Sequence, residues 1–313
     1  MKLTIAVLSL CLSAQAQQTN ATPDAVIGAR NVIGLENVKL NARGTIVVKD
    51  NALLFDTGKE KATVPASSIE DMVIGTEATQ GGGKAGRAAK TAAIAAPYGS
   101  GAGLTLLLHT NVDILTVVYR DADGGRHNAV LAIGKGQAEP LRTQLAAAGG
   151  HFNNAPAPPA ELKERPAVGP VAPRAKGEKL KASAILIAPV EAGDVQIPGE
   201  FRSAIYERLV ERVRLGGGFQ KVYRTGDRAA ENVPDLVILH TTVESFKEGS
   251  QLKREIIKVA GATTVDVSMS VVSRDGRALV NDKVTGKVRF FGENLGVTND
   301  IAKKVDKVLL KNF

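Results

Sequence analysis

The stretch from Ala78 to Gly103 is the most unusual in the chain. It runs Gly81-Gly82-Gly83-Lys84-Ala85-Gly86-Arg87, then an alanine-rich segment through Lys90, then Tyr98-Gly-Ser-Gly-Ala-Gly103. A glycine-rich loop ending on lysine invites a phosphate-binding reading, because successive backbone N–H groups can cradle phosphate oxygens. The spacing fails that test. Such a loop needs Gly, four residues, then Gly-Lys-Ser/Thr; here Ala78 stands at the first glycine position and Ala85 follows the lysine. What remains is a basic loop, with Lys84, Arg87, Lys90 and Tyr98 placed to meet a protein partner or an anionic membrane surface. The plainer reading is an insertion between two strands.

Other chemistry-bearing residues are scattered. His109, His127, His151 and His240 form neither an HxH nor an HExxH spacing, so no metal site is expected. His109 and His127 fall at strand ends and could approach one another across a sheet. Asp121 and Asp123 resemble a carboxylate pair, but they sit in an Asp-Ala-Asp-Gly-Gly turn, where aspartate caps local amides. Gly99-Ser100-Gly101 is not the Gly-x-Ser-x-Gly of a nucleophile elbow. No cofactor is implied. A hydrolase whose site is assembled only in space stays open as an alternative.

Composition narrows the classes further. Among 313 residues, 44% are hydrophobic and 23% charged, an ordinary globular balance. Aromatics make up only 4% and tryptophan is absent, which argues against stacking platforms for nucleic acid or sugars. The net charge is +8, but acids and bases interleave, so no arginine-rich arm is seen and no nucleic-acid partner is expected.

The N-terminus carries the sharpest address. Lys2, the apolar run Leu3–Leu12 and Ala14-Gln15-Ala16 follow the order of a secretory signal, with cleavage expected after Ala16. That run is shorter than the ~20 residues a spanning helix needs, so no transmembrane segment is expected in the mature chain. The single cysteine, Cys11, lies inside the signal and follows Leu10, where a lipid-attachment site wants a small residue. The expected product is a cysteine-free periplasmic or secreted protein without disulfides.

The elements divide into two halves. Six prolines between Pro156 and Pro173 mark residues 151–181 as a linker. Before it, short β-runs at 45–49, 52–55, 62–64, 69–75, 104–109, 114–120 and 127–133 are followed by a helix over 138–148, with Leu141 and Leu145 on one face. Asp50-Asn51 reads as a hairpin turn. After the linker comes β-α-β-β-β-β-α. The first of its helices carries Phe201, Ile205, Leu209 and Val213 as its stripe, with Glu207, Arg208, Glu211 and Arg212 on its other faces. Residues 264–272 alternate strictly, Val265, Val267, Met269 and Val271 against Thr264, Asp266, Ser268 and Ser270. The last helix carries Ile301, Val305, Val308 and Leu309, with Lys303, Lys304, Lys307 and Lys311 on its solvated face.

This order implies an α+β protein: an antiparallel β-barrel or sandwich closed by one helix over residues 25–150, and a small α/β sandwich over 182–313. The first half resembles the pleckstrin-homology-like superfold by element order, although its first hairpin offers only Lys49 as a basic residue. In the second half, Ala184-Ile-Leu-Ile-Ala-Pro-Val190, Glu207-Arg208-Leu209, Pro234-Asp235-Leu-Val-Ile-Leu239, Lys253-Arg254 before Gly261, and Val267 through Gly276 resemble a family of exported bacterial proteins of unknown function. More distantly, the order is similar to the TolB N-terminal domain and to the CsgG and LpoB lipoproteins. The resemblance implies a non-enzymatic binding or assembly role among envelope protein partners. An anionic membrane or polyanion is the alternative partner.

Overall fold

The computed structural model describes residues 26–75, 112–150, 171, 178–247, 263–288 and 296–313. Residues 1–16, expected as a signal, most of residues 151–181, the strand expected at 104–109 and the loop residues Lys84, Arg87, Lys90 and Tyr98 lie outside the described residues. So do His109 and His151.

Seven strands of the first half form one antiparallel sheet: β1 (Ile27–Ile33), β2 (Ala42–Lys49), β3 (Ala52–Asp56), β4 (Lys61–Pro65), β5 (Ile69–Gly75), β6 (Val112–Arg120) and β7 (Arg126–Gly134). Their order is β4-β3-β2-β1-β7-β6-β5. Strands β2 and β3 meet at Asp50 and Asn51, whose φ values of 51° and 55° are those of a type I′ turn. Helix α1 (Ala138–Ala147) covers the concave face, and Leu141 and Leu145 pack among Ile46, Leu53, Phe55, Leu115 and Leu131. The helix start is capped from a distance: Asp113 Oδ2 accepts from the Gly136 and Ala138 N–H groups at 2.8 and 3.2 Å.

The expected barrel closure does not occur. Strands β4 and β5 are the two edges of the sheet and do not pair with each other. Pro65 ends β4 without a ladder donor and a 3-10 turn (Ala66–Ser68) carries the chain across to β5, so α1 fills the core side instead.

The second half follows the expected order: β8 (Ala184–Glu191), α2 (Gly199–Gly216), β9 (Lys221–Arg224), β10 (Leu236–Lys247), β11 (Thr263–Ser273), β12 (Ala278–Val288) and α3 (Gly296–Asn312). The sheet runs β12-β11-β10-β8-β9, parallel from β10 through β9 and antiparallel from β10 through β12. Both helices lie on one face. Phe201, Ile205, Leu209 and Val213 of α2 and Ile301, Val305 and Leu309 of α3 enclose Ile185, Ile187, Leu239 and Val265, Val267, Met269 and Val271 of β11.

The outer edge of this sheet is closed by side chains. On β12, the Lys287 N–H donates to Asp300 Oδ2 at 2.9 Å, and Lys304 Nζ donates to the Thr285 carbonyl at 2.6 Å. Asp300 and Lys304 pair with each other at 2.9 Å, one helical turn apart. A third edge group, the Lys283 N–H, donates to the neighbouring Asp282 carboxylate at 2.7 Å. Such capping denies the edge to a foreign strand.

Candidate functional site

Helix α2 is buried on two faces. Beyond the stripe facing its own sheet, Ser203, Ala204 and Glu207 repeat at i, i+1 and i+4 and turn towards the first sheet. Ala204 packs with Val32, Ile33, Val130 and Ala132 from the convex side of β1 and β7. Its small side chain lets helix and sheet approach closely. Glu207 therefore does not lie on a solvated face, as its charge suggests; its side chain is 3% exposed.

A carboxylate removed from water must be paired and hydrogen-bonded. Arg224, at the end of β9, grips Glu207 with two bonds, Nη1 to Oε1 at 2.8 Å and Nη2 to Oε2 at 2.7 Å. The Asn128 N–H on β7 also donates to Oε1 at 2.8 Å. The Arg126 carbonyl accepts from Arg224 Nη1 at 3.0 Å and from the Tyr206 hydroxyl at 3.1 Å, while the Arg126 N–H donates to the Thr225 carbonyl at 3.0 Å. The Arg224 guanidinium stands 5.6 Å from the Tyr206 ring centroid. Burial pushes the Tyr206 phenol up to about 12, partly offset by the nearby Arg224 charge. It raises Tyr119 further still.

Two loops complete the junction. Gly124 and Gly226 meet backbone to backbone at φ +91° each. A Cβ on Gly226 would lie 2.5 Å from the Gly124 carbonyl, and one on Gly124 would lie 2.6 Å from that of Gly226. The Arg228 N–H donates to the Asp123 carbonyl at 3.1 Å, and Arg228 Nη2 to that of Ala122 at 2.6 Å. Backbone groups are engaged from both sides, which fixes the register of the two halves.

Asp121 does cap local amides, accepting from the Asp123 and Gly125 N–H groups at 2.9 and 2.8 Å. Sequence reasoning missed its second role: Oδ2 lies 2.9 Å from His127 Nε2. Burial works against the Asp121 charge, yet the His127 and Gly125 bonds hold its carboxyl below the usual value. The His127 ring stacks on Tyr119 at 5.0 Å, and its Nδ1 is buried with no hydrogen-bond partner among the described residues. A dyad doing acid–base work needs substrate or a nucleophile at that nitrogen. Here the ring is sealed within the sheet.

A cleft of about 500 Å³ opens elsewhere, beside Lys181, Asp235, Arg274, Asp275 and Arg277. Asp235, Asp275 and Arg274 are occupied locally: Asp235 accepts from Ser183 at 2.7 and 2.6 Å, Ser273 bonds Asp275, and Arg274 donates to the Ala230 and Glu231 carbonyls. His240 lies on β10, facing away from the helices, with burial lowering its basicity. Among the described residues, no three His, Cys, Asp or Glu side chains are grouped to hold a metal ion. None of their helices is long and apolar enough to cross a membrane.

The best-built polar constellation thus belongs to an α+β chain of two sheets, and it joins those sheets. No protein-family model matches the chain, and no curated protein matches it. Solved structures that align with part of it include the PelC dodecamer from Paraburkholderia phytofirmans, 14% identical over 44% of this chain and 94% of that one, TM-score 0.33. A candidate lipoprotein from Caulobacter crescentus CB15 aligns at 14% identity over 39% and 87%, TM-score 0.27. A candidate neuraminyllactose-binding hemagglutinin homolog from Helicobacter pylori aligns at 8% over 44% and 90%, TM-score 0.25. At these TM-scores the likenesses define neither a family nor a function for this chain.

Proposed function

We propose that this is a non-enzymatic, envelope-associated binding or assembly protein, exported by its N-terminal signal to the periplasm or beyond. Two domains, 25–150 and 182–313, are joined covalently by the proline-rich linker and physically by the junction. The strand order 4-3-2-1-7-6-5 with one helix on the concave face supports a pleckstrin-homology-like first domain.

The observation that carries the reading is the junction itself. The Glu207 and Arg224 charges at its centre are paired and buried, so they hold geometry rather than perform chemistry. A flexible tether would let two modules act separately; a bidentate buried pair and interlocked loops present their surfaces at one spacing. Photo-crosslinkers at exposed Thr63 and Val73 test this in cells at native expression. The expected result is an adduct of one discrete mass that vanishes when Gly226→Val breaks the junction. A protein that gives no adduct, or the same adduct from separately expressed halves, would refute it.

A further inference from the structure

Helices α2 and α3 end side by side. Asp306 lies against Gly216, Leu310 Cδ2 lies 2.9 Å from where a Gly218 Cβ would stand, and the Phe219 and Phe313 rings are 5.2 Å apart. This end exposes two leucines, Leu215 at 72% and Leu310 at 39%. Helical spacing aligns Lys303, Lys307 and Leu310 on one face of α3, with Lys311 beside them. All three lysines are exposed.

The carboxylates of α3 are engaged: Asp300 by Lys304 and Asp306 by Arg212, both at 2.9 Å. Lys303, Lys307 and Lys311 have no ion-pair partner among the described residues. Two more cations converge here, Arg214 next to Leu215 and Lys179, whose Nζ donates to the Leu310 carbonyl at 3.1 Å. Protruding aliphatic side chains among unpaired lysines match one surface chemistry: phosphate groups outside and acyl chains beneath.

We propose that this end of the molecule docks on an anionic lipid bilayer, with Leu215 and Leu310 entering the interface between the lysines. The leucines separate this from attraction to a soluble polyanion, which has no acyl layer for them to enter. The proposal goes beyond the assembly reading and can fail or hold independently of it.

Co-sedimentation of the mature protein with vesicles of phosphatidylglycerol and phosphatidylcholine in equal parts tests it. Binding is expected at low salt, weakening as salt rises, and absent on phosphatidylcholine alone. Lys303→Glu with Lys307→Glu and Lys311→Glu should weaken it about a hundredfold or more. Leu215→Ser with Leu310→Ser should weaken it about tenfold or more, and Leu215→Ser alone, at the more exposed site, should weaken it in the same direction. No binding by the parent protein would overturn the proposal. So would binding unaffected by the leucine pair, which would mark a polyanion site, or binding lost only in Lys84→Glu with Arg87→Glu and Lys90→Glu.

Discussion

Replacing Arg224 with methionine removes two of the three hydrogen bonds shown to Glu207, leaving a carboxylate 3% exposed with only the Asn128 N–H as donor. A buried charge stripped of its partner costs about 3–5 kcal/mol. That is a large share of the ~5–15 kcal/mol typical of a folded domain. Glu207→Leu should cost a similar amount by stranding the guanidinium, although the Arg126 carbonyl and the Tyr206 ring still face it. The double variant buries no charge. It leaves the Asn128 N–H without an acceptor, about 1–3 kcal/mol, while the Arg126 carbonyl keeps the Tyr206 hydroxyl. The double variant should therefore be more stable than either single one, with a coupling energy of about 3 kcal/mol or more. Urea unfolding of all four proteins measures this. A double variant as costly as the sum of its parts, or Arg224→Met costing under about 1 kcal/mol, would show that the two charges do not depend on each other.

Gly226→Ala should cost at least about 2 kcal/mol, because its Cβ meets the Gly124 carbonyl as well as an unfavourable φ. Gly149→Ala, at φ +98° with open space around it, should cost only about 1 kcal/mol; equal thermal shifts would remove the steric argument. Asp300→Ala with Lys304→Ala uncovers the Lys287 N–H and Thr285 carbonyl on the β12 edge, and concentration-dependent light scattering should follow; a strict monomer would contradict the capping role. Burial raises the Asp306 carboxyl, with the Arg212 charge pulling the other way. The folded chain thus keeps this proton to higher pH than the unfolded one, so the stabilisation is complete below the unfolded value and lost as pH rises through the folded one. Asp306→Asn should remove that fall in the thermal midpoint as pH rises above the ordinary carboxylate range; an unchanged pH profile would count against it. In alkaline titration followed by near-ultraviolet absorbance, Tyr119 and Tyr206 should stay protonated to about 12 unless the fold opens first.

Local periodicity was enough to read most elements. The stripes of α2 and α3, the alternation of β11 and the Asp50-Asn51 turn are properties of a few neighbouring residues, and each occupies its expected place. Strand β1 escaped because it has no period of two: six of its seven residues are buried, with α1 and the core on one side and α2 on the other. Arg30 and Asn31 further mask it. Glu207 was misplaced for the same reason, since charge alone assigns a residue to water. Its partners stand 17 and 79 residues away, and nothing in the helix announces them. The Asp121 turn was legible, whereas its bond to His127 depends on the β6–β7 pairing that brings the turn beside that ring.

The Glu207–Arg224 junction holds the two sheets together as one body. Spin labels on cysteines introduced at Thr63 on β4 and Asn281 on β12, in the chain from residue 17 onward, report it through the distance distribution between them by pulsed electron resonance. A single narrow distribution in the parent protein, broadening in Gly226→Val, is the predicted result. A broad distribution in the parent, unchanged by that substitution, would show two halves moving on a tether.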